Sequence, residues 1–174
     1  MNSAPEHIRF CAYCGCELIT RPVGGKMRRV CPRDDCHYVY FTEPKVGVGV
    51  LVIHNDQVLL IKRGVHPFIG QWSLPAGYLD AGEDPAVTAV REVYEETNLT
   101  IAITNLINVY HLPPNQPGAS IFILYQGQYL DGTIQAGDDA REAVFFPRHA
   151  LPELAFDTTR QAIHNWLAQT TINQ

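Results

Sequence analysis

The sequence contains no apolar run that approaches the roughly 20 residues required by a membrane-spanning helix. It has no internal repeat and no low-complexity tract, and residues 1–10 lack the apolar core of a signal peptide. We therefore expect a cytoplasmic protein that does not bind a membrane. Cysteine is absent after Cys36, and all five cysteines lie within the first 36 residues. In a reducing compartment, such a cluster favours metal ligation over disulfide bonding.

The charge balance gives no global sign of a nucleic-acid or anionic-membrane partner. The chain of 174 residues carries a net charge of −5, with 46% hydrophobic and 18% charged residues. Residues 1–40 hold six Lys or Arg and four Asp or Glu, whereas the remainder holds seven and fourteen. This composition is typical of a globular protein with one domain and a small appendage.

The N-terminal cysteines form two close pairs that are separated by sixteen residues and resemble a zinc ribbon. A unit of about forty residues buries too little apolar surface to fold unaided, so a structural Zn²⁺ is physically reasonable. The second pair encloses four residues, where ribbons commonly have two. Cys16 and His37 are therefore alternative ligands, and buried cysteines without a metal are a further alternative. The predicted zinc ligands are Cys11, Cys14, Cys31 and Cys36.

Four basic residues of this unit raise the question of a nucleic-acid face: Lys26, Arg28, Arg29 and Arg33. Binding of single strands generally requires aromatic side chains among the cations, on which bases can stack. No aromatic residue interleaves with these four along the chain. We therefore expect a solvated ribbon surface and no nucleic-acid partner.

A helix with clear end signals is predicted in the middle of the chain. Asp84 can cap it, Pro85 suits its first position, and Asn98 tolerates the left-handed conformation of a helix end. Its apolar residues recur at helical spacing and predict a core-facing side, formed by Ala86, Val87, Ala89, Val90, Val93 and Tyr94. Three carboxylates, those of Glu92, Glu95 and Glu96, are expected on the other face. Their mutual repulsion indicates a site for a hard divalent cation.

This region resembles the Nudix box, G-x5-E-x7-R-E-U-x-E-E-x-G-U, where U is aliphatic. The matching stretch, residues 77–99, reads GYLDAGEDPAVTAVREVYEETNL, and Asn98 replaces the last glycine of the motif. Further similarity lies in PKVGVGVLV, LLIKR, WSLPAGYLDAGE and PELAF, so that it covers most of the chain. The chain as a whole resembles the zinc-ribbon branch of the Nudix hydrolases. The resemblance implies an α/β fold: an α/β/α sandwich with a mixed sheet, preceded by the ribbon, with domains at 1–41 and 42–174.

The resemblance also implies a set of catalytic residues. Glu92, Glu95 and Glu96 would hold Mg²⁺ or Mn²⁺, with the Ala76 carbonyl as a further ligand. Arg91 and Glu83 would pair and fix the preceding loop against the helix. Among later acidic residues, Glu142 is expected to be the base or a supplementary ligand, while Asp138 and Asp139 have the chemistry of a solvated turn. For Lys62 and Arg63, phosphate binding and an outward-facing role remain equally open.

The implied reaction is hydrolysis of the diphosphate in a nucleoside diphosphate linked to another moiety, with release of AMP. NADH-cleaving relatives carry an S-Q-P-W-P-F-P-x-S array, which residues 109–118 do not match. ADP-ribose or FAD is therefore favoured, with NADH or NAD-capped RNA as the alternative. A nucleotide-sensing module without catalysis is a second alternative. The expected partner is a small nucleotide substrate, and a homodimer is left open.

Secondary structure outside the box helix is predicted from local patterns. Residues 46–54 and 57–63 are expected to form a hairpin around Asn55-Asp56. Residues 99–111 contain two strand-like pieces, residues 119–130 one strand, and residues 143–146 a short last strand. A terminal helix is expected to begin near Asp157 or Thr158. Its apolar stripe, assigned to the core, consists of Ala162, Ile163, Trp166 and Leu167.

Overall fold

The computed structural model describes residues 5–114 and 118–171. The chain divides into two compact units, Met1–Glu43 and Pro44–Gln174. None of the helices in the described residues is both long and apolar enough to cross a bilayer. The predicted proline-rich segment 112–118 includes residues 115–117, which lie outside the described ranges.

The first unit is built on an antiparallel hairpin of β1 (Ile19–Val23) and β2 (Lys26–Val30). Gly24 and Gly25 form its turn, with φ angles of +57° and +75° that side chains with a Cβ disfavour. A short third segment continues the pairing, because Val39 forms an antiparallel bridge with Val30. The small core of this unit consists of Cys11, Leu18, Val30 and Cys31.

The second unit contains a seven-stranded mixed sheet and two helices. The strands are β3 (Val46–His54), β4 (Gln57–Arg63), β5 (Trp72–Ser73), β6 (Ala76–Tyr78), β7 (Thr100–His111), β8 (Ile121–Asp131) and β9 (Ala140–Pro147), and the helices are α1 (Pro85–Thr97) and α2 (Asp157–Thr171). The strand order is β5-β4-β3-β8-β7, with β6 added to β3 and β9 added to β4. Only the β3–β8 pair is parallel among the strand pairs of the described residues.

The two faces of the sheet bury separate hydrophobic clusters, each closed by one helix. Alternate residues of β3 enter opposite clusters, as the period of two in a strand requires. The α1 side contains Val48, Val50, Val52, Leu59, Ala89, Val93, Leu99 and Ile101. The α2 side contains Leu51, Val58, Leu60, Leu74, Leu124, Ala162 and Ile163, with Trp166 and Leu167 packed against it. The predicted α/β/α arrangement, the mixed sheet and the stripe of the terminal helix are confirmed.

The structure confirms the hairpin prediction and changes two other strands. Asn55 and Asp56 have φ angles of 49° and 61°, the left-handed pair that a two-residue hairpin turn needs. The two expected pieces in residues 99–111 form one strand, β7, in which three register shifts interrupt the pattern without ending the pairing. The last strand begins at Ala140 rather than residue 143, because pairing with β4 supports polar residues that lack strand periodicity.

Candidate active site

The ends of α1 have the predicted chemistry. Asp84 lies outside the helix in an extended conformation, and its Oδ1 accepts hydrogen bonds from the backbone N–H groups of Ala86 at 2.8 Å and Val87 at 3.2 Å. Asn98 ends the helix with φ 59° and ψ 22°, and its N–H donates to the Tyr94 carbonyl. Both ends of α1 are therefore capped, as the sequence predicts.

The buried face of α1 differs from the predicted face. Ala89 and Val93 are fully buried as expected, whereas Val87 and Tyr94 are 68% and 55% exposed. Glu92 and Glu96 lie on the buried side instead. The helix is rotated because its carboxylates face the short strand β6 and the backbone leading into it, which offer hydrogen-bond donors and a glycine. Apolar periodicity alone cannot detect such a polar partner.

Glu96 is buried against the backbone at the start of β6. Its side chain is 3% exposed, and its Oε2 accepts a hydrogen bond from the Ala76 N–H at 2.9 Å. Burial raises the pKa of Glu96 to about 8, although the Ala76 N–H acts in the opposite direction. The charges of Glu92 and Asp138 add to this rise, and the charge of Arg63 opposes it.

Glu92 lies directly against the first glycine of the box. A Cβ added to Gly77 would stand 2.0 Å from Glu92 Cδ, so only glycine leaves room for this carboxylate. Burial raises the pKa of Glu92, the charges of Glu95 and Asp138 act in the same direction, and Arg91 opposes them. The motif glycine therefore has a steric explanation at this position.

Arg91 connects the remaining charged residues of the box. Its Nη2 lies 3.2 Å from Glu83 Oε2, and its Nη1 lies 2.9 Å from Glu92 Oε1 and 2.8 Å from Glu95 Oε2. Glu83 also accepts hydrogen bonds from the Asp80 N–H and the Thr88 hydroxyl. The Asp80 N–H, followed by Thr88 and Arg91, lowers the pKa of Glu83. The expected Arg91–Glu83 pair is present and fastens the loop to the helix.

The donor set around α1 fits a hard divalent cation in its chemistry. Carboxylate and carbonyl oxygens are the ligands that Mg²⁺ and Mn²⁺ prefer. The raised pKa values of Glu92 and Glu96 show that burial outweighs the positive charge of Arg91 near Glu92 and of Arg63 near Glu96. The carboxylate oxygens are not drawn together, however. Within the described ranges, the cysteines alone place three or more ligand atoms within 4.8 Å of one another. Glu92 and Glu95 are instead paired with Arg91.

The later acidic residues are arranged differently from the sequence expectation. Glu142 lies inside β9 rather than before it, opposite Lys62 of β4, and its Oε1 lies 2.8 Å from Lys62 Nζ. The loop before β9 instead returns to the end of α1, where the Gly137 N–H donates to the Glu96 carbonyl. The charge of Asp138 in this loop raises the pKa of both Glu92 and Glu96. No local sequence pattern indicates that this loop contacts α1, so the sequence alone predicts that Asp138 lies in a solvated turn.

A cleft opens beside these carboxylates. It contains about 920 Å³ of empty space including its mouth, and Glu96, Arg63, Asp139, Phe122 and Phe156 are among its lining residues. Arg63 bonds the Pro67 carbonyl at 2.7 Å and stacks 5.0 Å from the centroid of Phe156. Lys62 is paired with Glu142, so of the two basic residues Arg63 is the one that lines the cleft.

The N-terminal cysteines meet the geometric requirements of a zinc site. The Sγ atoms of Cys11 and Cys36 are 3.7 Å apart, and those of Cys14 and Cys31 are 3.5 Å apart. Tetrahedral Zn–S bonds of about 2.3 Å place sulfur atoms about 3.8 Å apart. All five cysteines are free thiols. The Cys16 N–H chiefly lowers the pKa of Cys14 to about 6, whereas burial and the neighbouring thiols raise the pKa of Cys31. The cluster excludes Cys16 and His37.

The fold and the box residues define the class of this protein. The sequence profile of the NUDIX domain matches residues 43–167, so the chain belongs to the Nudix family and is a Nudix hydrolase. It is 40% identical to an ADP-ribose pyrophosphatase of Methanocaldococcus jannaschii over 126 residues, which are 72% of this chain and 75% of that protein.

Two further matches are long enough to extend into the N-terminal unit. The chain is 31% identical over 151 residues to the NAD-capped RNA hydrolase NudC of Pseudomonas aeruginosa; the match covers 86% of this chain and about half (51%) of that protein. A crystal structure of a NUDIX hydrolase from Nitrosomonas europaea matches with a TM-score of 0.82 and 31% identity, covering 96% of this chain and 94% of that chain.

Proposed function

We propose that this enzyme hydrolyses the diphosphate bond of a nucleoside diphosphate linked to another moiety, with ADP-ribose as the first substrate and AMP as a product. The observation that carries the proposal is the burial of Glu92 and Glu96 against Gly77 and Ala76 at the edge of an open cleft. Glu92 shares its partner Arg91 with Glu83 and Glu95, and Glu96 accepts from the uncharged Ala76 N–H. Burying two acids with so little compensation destabilises a fold unless a ligand uses them. The ADP-ribose pyrophosphatase from M. jannaschii supports the substrate class.

Each box residue has a distinct proposed role. Glu92, Glu95 and Glu96, with the Ala76 carbonyl, would hold Mg²⁺ or Mn²⁺. When bound, the cations would neutralise the diphosphate charge and lower the pKa of a water molecule. Arg91 would position Glu92 and Glu95 before binding, since it contacts both. Glu83 would orient Arg91 in turn, because it is anchored to the Asp80 N–H.

The structure offers a second candidate for the base. We propose Asp138, because its charge acts on both Glu92 and Glu96, whereas the Glu142 carboxylate is engaged by Lys62. Asp138 has φ 46°, a left-handed conformation that is uncommon outside glycine, and it lies in a turn closed by the hydrogen bond from the Ala140 N–H to the Gly137 carbonyl. Glu142, the base expected from the sequence, remains the alternative.

Cleavage of NADH or NAD-capped RNA is the second candidate function. It is favoured by the P. aeruginosa hydrolase, which resembles this chain over 151 residues. Because the sequence lacks the S-Q-P-W-P-F-P-x-S array, we rank NADH and NAD-capped RNA below ADP-ribose and FAD as candidate substrates. Part of the corresponding segment, residues 115–117, lies outside the described residues.

The N-terminal unit is proposed to be a zinc ribbon at residues 1–41, followed by the Nudix domain at 42–174. Cys11, Cys14, Cys31 and Cys36 would hold one structural Zn²⁺, as their sulfur spacing fits. Zinc ligation needs reduced thiols, which fits the cytoplasm as the proposed location.

A substrate panel tests the proposal directly. ADP-ribose, FAD, NADH and NAD-capped RNA are each incubated with Mg²⁺, with Mn²⁺ or with a chelator, and the nucleotide products are separated by chromatography. We expect metal-dependent release of AMP, fastest from ADP-ribose. The Glu96→Gln variant is the matched control for a contaminating hydrolase. Turnover in the chelator, or none of these substrates cleaved by the parent, would overturn the proposal.

A further inference from the structure

The hairpin of the N-terminal unit places two arginines directly opposite each other. Arg21 of β1 pairs with Arg28 of β2 in the antiparallel register. Like charges in this position are destabilising. The pairing extends to a third segment, because the Tyr40 N–H donates to the Arg29 carbonyl, which brings Phe41 into register with Arg28. Arg28 Cζ lies 4.4 Å from the centroid of the Phe41 ring. These three residues form the Arg21–Arg28–Phe41 row.

The positive charge of this row is not compensated by a carboxylate. One N–H of Arg21 bonds the Cys31 carbonyl at 3.2 Å, and one of Arg28 bonds the Val23 carbonyl at 3.3 Å, so both side chains are held in place. Lys26 lies opposite Val23 on the same face of the hairpin. Among the ion pairs of residues 5–114 and 118–171, none includes these three cations.

Other arginines of the same unit behave differently. Arg9 lies 3.6 Å from Glu17, and Arg33 pairs with Asp35. Arg29, on the opposite face of the hairpin, donates to the Ile8 carbonyl and the Thr20 hydroxyl instead of a carboxylate. The face that carries Arg21, Lys26 and Arg28 thus holds three of the hairpin's four basic residues, and a fold that only needed soluble surface would gain stability from an acid opposite Arg28. The sequence retains a repulsive pair there, which a polyanion would relieve.

Exposed aromatic rings adjoin the row. Phe41 is 54% exposed and Tyr13 is 82% exposed, although both could be buried with a gain in free energy. Tyr13 packs against Tyr38 in a T-shaped pair with centroids 5.0 Å apart. Both rings line one open pocket together with Tyr40. The structure thus brings aromatic rings beside cations that are separated from them along the chain.

We propose that this face binds single-stranded nucleic acid, with phosphates against Arg21, Lys26 and Arg28 and a base stacked on Phe41. Guanidinium groups match phosphate oxygens in geometry, and a base can stack on any exposed ring regardless of its sequence. Paired bases of a duplex cannot reach these rings, and an acidic peptide would have no use for them. The sequence predicts a solvated surface because no aromatic residue lies among these cations along the chain. The fold nevertheless places the Phe41 ring against Arg28.

The proposal makes quantitative demands on binding. Three phosphate contacts on a single strand give a slope of log K against log salt of about −2. With so few contacts and no base-edge readout, the affinity falls in the range of non-specific binding, about 10⁻⁴–10⁻⁶ M at physiological salt. Glu43 lines the same pocket as Phe41, so its negative charge would repel the phosphate of a nucleotide whose base stacks on that ring.

The test uses the full-length, zinc-loaded protein and a fluorescein-labelled oligothymidylate of about 12 nucleotides. Anisotropy is measured between about 50 and 200 mM KCl, beside an oligouridylate and a duplex of equal length. Arg21→Ala should lower the salt slope by about 0.7. Phe41→Ala should weaken binding at least about fivefold and leave the slope unchanged. Glu43→Gln should tighten binding.

Arg9→Gln is the matched control, because it removes the same charge from the same unit outside the row. Zinc content and thermal unfolding of every variant must equal those of the parent, so that loss of the ribbon is not mistaken for loss of the site. Equal losses of oligonucleotide affinity in Arg9→Gln and Arg21→Ala would overturn the proposal, since the change in net charge alone would explain them. Equal affinity for the duplex, or full binding by Phe41→Ala, would overturn it too.

Discussion

Gly77 leaves no space for a side chain because the Glu92 carboxylate lies against its Cα. The contact joins the first residue of the box to a carboxylate fifteen positions later, across the loop that Arg91 and Glu83 fasten. We predict that Gly77→Ala displaces Glu92 and lowers kcat by about 10²-fold, the typical cost of a misplacement near 1 Å. Steady-state hydrolysis of ADP-ribose measures the loss.

Two further variants separate this contact from general backbone strain. Gly25→Ala introduces a Cβ at a φ of +75° with no atom within 4 Å of it, so it strains a turn without touching Glu92 and should retain activity. The double variant Gly77→Ala/Glu92→Gln should be no slower than Glu92→Gln alone, since both changes act on one carboxylate. Additive losses would show that Gly77 acts through something other than Glu92.

Glu96→Gln tests the most buried carboxyl group. The amide oxygen can still accept the Ala76 N–H, so the fold should be retained while the charge is lost. We expect kcat to fall by about 10²–10³ or more, the usual effect of removing one preorganised charge-stabilising group. The unfolding free energy, measured in urea without added metal and above pH 8 so that Glu96 is ionised, should not decrease, because a buried charge and its repulsion with Glu92 disappear. Undiminished turnover would contradict the assignment of the metal site.

Asp138→Asn and Glu142→Gln decide between the two candidate bases. We expect Asp138→Asn to lower kcat more than it raises KM, because the interaction strengthens in the transition state. Glu142→Gln should leave kcat within a few-fold of the parent, since its partner is Lys62. Lys62→Met serves as the control for the ion pair. The reverse order of effects would return the role to Glu142.

Cys31→Ser tests the proposed zinc ribbon. Because thiolate–zinc binding also drives the folding of so small a unit, the variant should lose its one zinc per chain and the structure of residues 1–41. Cys16→Ser should keep the metal, as its sulfur lies outside the four-cysteine cluster. Elemental analysis and limited proteolysis measure both effects. Zinc loss on mutation of Cys16, but not of Cys31, would reverse the ligand assignment.

Asn98 offers a stability test at the end of α1. Its φ of 59° strains a residue with a Cβ, and its side chain donates to the Thr133 carbonyl at 3.1 Å. Asn98→Ala should lower the unfolding free energy by about 1 kcal/mol. Asn98→Gly relieves the strain but loses the hydrogen bond, so its change should stay within about 0.5 kcal/mol. Urea denaturation with equal m-values provides the comparison.

Local chemistry explains which features were predictable. The caps of α1 and the Asn55-Asp56 turn depend on a few adjacent residues, so the sequence is sufficient for them. The rotation of α1 depends on the Ala76 N–H and the space above Gly77, and these come from a strand that the chain folds back against the helix. The apolar pattern predicts that Val87 and Tyr94 face the core, because it depends on hydrophobicity and not on the position of a polar partner.

Contacts distant in sequence account for the remaining differences. Asp138 looks like a solvated turn residue until the loop before β9 closes on the end of α1 through the Gly137 N–H. Phe41 and Arg28 are thirteen positions apart and meet only when a third segment joins the hairpin. The family resemblance correctly named the fold and the box, but it carried no information about pairings specific to this chain.

The parallel pairing of β3 with β8 has a consequence for how the chain acquires its structure. Val46 and Ile121 are partners although 75 positions separate them, whereas the β3–β4 hairpin closes over two residues. The high contact order of the central pair predicts slow folding. During synthesis the hairpin can form early, with one edge of β3 open until β8 leaves the ribosome. That edge, VGVGVLVIH, is then exposed to other chains, and chaperone binding to nascent protein should concentrate there.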